Sequence, residues 1–262
     1  MQRELTNVCS GLSAMAINNN MIYVGSTSGD IIRIVDETPD IIANTGGVVS
    51  SLCFSQDGAL FCGDLIHHAV LYLESDSDLI EFVKDHEGSP LRGPTGLYFD
   101  ALGDLYFVDG GPFGSTSLAS PKGMLMSVSD QLLEDLSGEC MAYPSAITMD
   151  KKEKVIFVTE TCTNRLLKFV QHPQGVWHAS IFHQFAGGFG PTAVCMTERH
   201  IIVGRSDLST EGIGRVSFLT HDGSLLRSVD LPEGNWISDI AVMNRRLYIA
   251  ERTTGNIYSM SI

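Results

Sequence analysis

The chain has 262 residues, 44% of them hydrophobic and 18% charged, a balance that supports a sizeable packed core and does not fit a disordered polypeptide. Its formal net charge of −14 sets it against phosphate backbones and anionic surfaces, so nucleic acid and membranes are not expected as partners. The sequence lacks an apolar run long enough to span a bilayer, and its first ten residues lack the basic-then-apolar pattern of a secretory leader, so a cytoplasmic protein is expected.

In chain order, the first patterned segment is residues 3–8, a short strand-like stretch without a neighbouring partner. A phrase then occurs six times: a hydroxyl residue, alternating apolar positions, a turn rich in Asn, Asp, Gly or Lys, and a second apolar strand. Its starting residues are Ser13, Ser50, Thr95, Ser145, Thr192 and Ser238, at spacings of 37, 45, 50, 47 and 46 residues. That period is the length of one four-stranded propeller blade. Third strands are predicted at 31–34, 70–73, 124–128, 166–169, 216–219 and 257–260. Fourth strands follow most of these, for example at 41–43 and 79–83, but the sixth copy ends without one. An uncovered sheet edge is a liability, and residues 3–8 have the length and pattern to cover it. The expectation is an all-β fold in one domain over residues 1–262: a six-bladed β-propeller of four-stranded antiparallel blades, its last blade closed by the N-terminal strand.

Six cysteines (Cys9, Cys53, Cys62, Cys140, Cys162 and Cys195) are scattered without a C-x-x-C pair or metal-like spacing. Cys53, Cys62 and Cys195 fall inside apolar strand patterns and are read as reduced core residues.

Two segments carry more than repeat grammar. Residues 103–123 (GDLYFVDGGPFGSTSLASPKG) resemble the third-blade signature of the gluconolactonase, or senescence-marker-protein, family of regucalcin-like propellers. Residues 143–169 (YPSAITMDKKEKVIFVTETCTNRLLKF) are similar to another blade of that family, a pattern shared by strictosidine-synthase-like proteins. The resemblance implies an ancestry in lactone or ester hydrolysis, with a calcium or zinc ion at the mouth of the central channel. It implies ligands from a first-blade Glu and from Asn or Asp residues of later blades. Here the matching positions hold Thr95, Ser145 and Thr192, and residues 9–13 contain no Glu. Neutral hydroxyls neither compensate the dehydration of a divalent ion nor support its activation of water, so no metal or other cofactor is expected.

The six anchors are all Ser or Thr, and two readings of that ring stay open. Such hydroxyls are frequent local hydrogen-bonders to backbone, or they line a neutral channel mouth that takes a small polar ligand. A second set follows from strand pairing: Ser26, Asp64, Asp109, Glu160, Arg205 and Glu251 stand at equivalent places beside the anchors. Its four carboxylates and one Arg read as an arrangement that satisfies turn amides or as a remnant or relocated cation site. The adjacent His67 and His68 read as loop histidines. The Gly-rich segment 110–120 lacks the Lys-Ser/Thr of a phosphate loop and is placed as a flap over one propeller face.

Two functions remain in competition. One is a binding or protein-interaction module that has lost lactonase chemistry, with a small polar ligand or a protein as partner. The other is a lactone or ester hydrolase with a rebuilt site drawing on Asp64, Asp109, Glu160 or Glu251.

Overall fold

The computed structural model describes residues 1–75, 78–150, 154–173 and 175–262. The lysine-containing turn expected around 151–153 lies outside the described residues. Six four-stranded antiparallel sheets are arranged as a six-bladed β-propeller. The innermost strands are Leu12–Asn18, Val49–Phe54, Pro94–Phe99, Pro144–Asp150, Gly190–Met196 and Ile237–Met243, each beginning within two residues of a predicted anchor. Hairpins turn through Asn19-Asn20, Asp36-Glu37, Asp130-Gln131 and Asn244-Arg245, pairs in which both residues have positive φ. This is the backbone twist that two-residue antiparallel connections require.

The sixth blade is completed from the other end of the chain. Gln2–Leu5 pairs antiparallel with Asn256–Ser261, aligning Arg3 with Tyr258 and Leu5 with Ile257. Val8 N–H adds a bond to Gly255 O at 2.8 Å. Glu4 accepts from Arg246 at 2.6 Å, and Leu5 and Val8 pack against Leu12, Val24, Ala250 and Ile257 at the seam between the last and first blades.

The core lies between blades. Phe61, Leu97, Phe107 and Met126 fill one junction, and Val216, Phe218, Ile237, Ile249 and Tyr258 fill another. Near the axis the blades approach so closely that side chains must vanish: a Cβ on Gly63 would lie 2.8 Å from Pro94 O, and one on Gly25 would lie 2.3 Å from Val49 Cγ1. All six thiols are free; Cys62 is buried, and Cys53 and Cys195 are half-buried, packed against core clusters and lining the axial cavity.

Candidate functional site at the channel mouth

Each anchor sits at a β-bulge. The pairing between the first and second strands skips Ser13, Ser50, Thr95, Ser145, Thr192 and Ser238 in turn, leaving each without a ladder partner. A bulged residue is aimed away from the regular pleat. Here the six line one small cavity on the axis, about 80 Å³ in volume, together with Val48, Val49, Leu65, Tyr143, Trp236 and Arg252.

Their hydroxyls are engaged across the blade junctions. Ser13 donates to Val49 O at 2.5 Å, Ser50 to Pro94 O at 2.5 Å, Thr95 to Pro144 O at 2.7 Å and Thr192 to Ile237 O at 2.6 Å. Ser145 reaches Pro191 O at 3.3 Å and also bonds Thr161, whose own hydroxyl donates to Pro191 O at 2.7 Å. In every case the acceptor is the residue just before the next blade's anchor, so the ring stitches each of the first five blades to its successor. The sixth junction differs: Ser238 donates within its own blade to Ala250 O, and Asp239 crosses instead, accepting from Met15 N–H at 2.9 Å.

Asp239 was not anticipated from the sequence. It lies on the wall of a larger axial cavity of about 330 Å³, shared with Cys53, Tyr98, Thr148 and Cys195. Burial pushes its carboxyl up to about 7, against the opposing bonds from the Met15 and Ile240 amides. Burial, with Asp239 adding to it, also raises the Cys53 thiol to about 11 and the Cys195 thiol further still.

The structure does not gather the strand-end residues into this mouth. Asp109 accepts from the Arg92 and Gly93 amides at 2.8 Å each, and burial raises its pKa. Glu160 accepts from Ala142 N–H and from Thr163 Oγ1. Burial pushes Glu251 upward, but bonds from Thr254, Trp236 and Thr253 outweigh it and hold its carboxyl below the ordinary range. Asp64 accepts from the Ile66 and His67 amides and lies 3.0 Å from His67 Nδ1, while its Oδ2 is buried without a partner. Ser26 accepts from the Ser28 and Asp30 amides, and Arg205 turns outward to the carbonyls of Ala186 and Gly187. These groups cap turns. Among the described residues, no group of three or more His, Cys, Asp or Glu side chains is placed to hold a metal ion.

Residue 113 of the Gly-rich flap does belong to the mouth. Its ring meets Tyr143 at 5.2 Å and Phe189 at 5.0 Å, and Phe189 meets Trp236 at 5.8 Å, so an aromatic rim rises above the hydroxyls. Thr116 pins the flap, donating to Gly110 O and accepting from Tyr143 N–H. Arg252 completes the rim, its guanidinium 4.4 Å above the Trp236 ring. Burial lowers the Arg252 pKa and raises the Tyr143 phenol to about 12, so the mouth carries one cation and a neutral phenol at physiological pH.

The divalent ion implied by the sequence resemblance does not fit this donor set. The lone pairs offered by Ser145 and Thr192 are neutral, their protons are directed to backbone or to neighbouring hydroxyls, and the charge at the mouth is positive.

No protein-family model matches the chain. Lactonase drp35 of Staphylococcus aureus (strain MW2) is 25% identical over 185 residues, which cover 64% of this chain and 54% of that protein. Lactonase drp35 of Staphylococcus haemolyticus (strain JCSC1435) is 29% identical over 110 residues, covering 38% and 31%. The matches thus span about half, or less, of these curated relatives. Among solved structures, a gluconolactonase from Xanthomonas campestris superposes with a TM-score of 0.81 at 16% identity, over 99% of this chain and 87% of that one. The calcium-binding protein regucalcin from Agrobacterium tumefaciens gives 0.80 at 16%, over 100% and 94%. The chain therefore has the fold of the gluconolactonase- and regucalcin-like six-bladed β-propellers, with lactonases as its curated relatives at low identity.

Proposed function

We propose that this chain is a non-catalytic binding module on a lactonase-type propeller, and that its ligand enters the hydroxyl-lined mouth. The observation that carries this reading is the use of Ser145 and Thr192. At positions where the resemblance implies oxygen ligands to an ion, both hydroxyls serve the blade junctions instead. A metal-assisted lactonase needs an ion to polarise the carbonyl and to lower the pKa of the attacking water. The mouth supplies Arg252, aromatic rings and hydroxyl lone pairs, which is an arrangement for holding a small molecule.

The test is turnover. Hydrolysis of gluconolactone and of simple γ- and δ-lactones is followed by pH-stat with calcium, zinc, manganese or magnesium added singly. The expected result is no acceleration over buffer with the same ion. Metal-dependent hydrolysis at kcat values of about 1 per second or more, an ordinary enzymatic range, sinks the non-catalytic reading.

A further inference from the structure

We propose that the mouth recognises a small hydroxycarboxylate bearing a flat apolar group, with Arg252 taking the carboxylate. The inference rests on the mouth being a binding site and names the chemistry of its occupant.

The charge comes first. In a chain of net charge −14, no Asp or Glu among the described residues lines the cavity at the mouth, and Arg252 is the one charged residue among them that does. No carboxylate pairs with Arg252 among the described ion pairs; its partners are the Trp236 face and the nearby Tyr143 phenol. The neighbouring Glu251 is held by the amides of Trp236, Thr253 and Thr254 and by the Thr254 hydroxyl. A half-buried guanidinium without a counter-ion among the described ion pairs, its carbon 4.4 Å from the centre of the Trp236 ring, is available to a planar anion. A carboxylate matches its donor fork. A single cation is too little for a doubly charged phosphate monoester.

The ring beneath sets the second group. Ser13, Ser50, Thr95 and Thr192 direct their protons to backbone carbonyls, so what they present to the cavity is lone pairs. Such a floor rejects a second acceptor and favours a donor, which a ligand hydroxyl provides. The rim sets the third. At about 80 Å³ the cavity admits a head group alone, so the rest of the ligand must lie upward among Tyr143, Trp236, Phe189 and Phe113. Phe113 is 55% exposed, leaving an aromatic face open for a planar body to cover.

The probe is 3-phenyllactate, titrated calorimetrically into the full chain, with 3-phenylpropionate lacking the hydroxyl and 3-phenyl-1,2-propanediol lacking the carboxylate as comparators. Binding is expected with a Kd below about 1 mM. The propionate should bind several-fold more weakly and the diol at least tenfold more weakly. Arg252→Gln should weaken phenyllactate at least tenfold and leave the diol unchanged, and Phe113→Ala should weaken it several-fold. Melting temperatures identify any variant that fails to fold; the comparator series on the unaltered protein then decides. Absence of binding at 10 mM phenyllactate, or equal affinity for phenyllactate and the diol, overturns the proposal. Lactone turnover is measured separately, so an active hydrolase defeats the non-catalytic reading without deciding the ligand chemistry.

Discussion

Asp239 does at the seam what a hydroxyl does at each of the other five junctions, and it does so with a group that titrates. Its native pKa of about 7 exceeds the ordinary carboxylate value near 4, so between those pH values the folded state holds a proton that the unfolded state has released. Stability from this group is therefore greatest at low pH and falls as pH rises from about 4 to about 7, by up to about 1.4 kcal/mol per pH unit. Asp239→Asn keeps an acceptor for Met15 N–H while removing the buried charge. The variant should be more stable than the parent by about 1–3 kcal/mol at pH 8 and show no such gain at pH 4, as measured by urea unfolding at both values. A variant that is less stable at pH 8 would contradict this account of the seam. Thr95→Val tests the ring itself: it deprives the buried Pro144 carbonyl of its 2.7 Å donor and should cost about 1–2 kcal/mol without changing the fold. The ring residues were legible as a repeated hydroxyl, but their bonding was not, because the acceptors lie 36 to 49 residues away on the next blade. Arg252 was one step from legible. It follows Glu251 as Leu65 follows Asp64, and the same strand phase moved by one residue points at the mouth. The rim aromatics had no such signal, since Phe113, Tyr143, Phe189 and Trp236 come from three different inter-strand loops and the flap.

At the scale of elements, alternation and period were sufficient for the blades because each strand repeats the same apolar pattern at a nearly constant interval. The third strands expected at 31–34 and 70–73 lie within Asp30–Val35 and Ala69–Ser75, and the fourth strands expected at 41–43 and 79–83 lie within Thr38–Asn44 and Asp78–Val83. The bulges leave no signal in the sequence, because one skipped residue does not disturb an alternating pattern read from its far end. Closure is the element-level feature with the largest consequence. Removing residues 1–8 strips Gln2–Leu5 from the edge of the last sheet and uncovers the seam cluster around Leu12 and Ile257. The truncated chain should lose on the order of 3–5 kcal/mol and self-associate, as seen by thermal unfolding and light scattering. Unchanged stability would mean that the ring is held by its blade junctions alone. Gly63→Ala probes those junctions, since its Cβ would meet Pro94 O and the Ser50 hydroxyl at once; a loss of about 1–3 kcal/mol is expected.

For the whole molecule, the fold is that of the gluconolactonase- and regucalcin-like propellers, while the hydroxyls at the mouth make contacts between blades around one cationic side chain. The strand-end carboxylates Asp64, Asp109, Glu160 and Glu251 are occupied with turn amides. A divalent ion at the mouth would face hydroxyl lone pairs and the Arg252 charge without a carboxylate to offset its dehydration. The direct measurement is the metal content of protein purified without chelator, followed by calorimetric titration with calcium, zinc and manganese. The account predicts substoichiometric metal and no binding tighter than about 1 mM at the mouth, with Ser145→Ala and Thr192→Val leaving the titration curves unchanged. One equivalent of tightly held calcium or zinc, lost in those two variants, would contradict it.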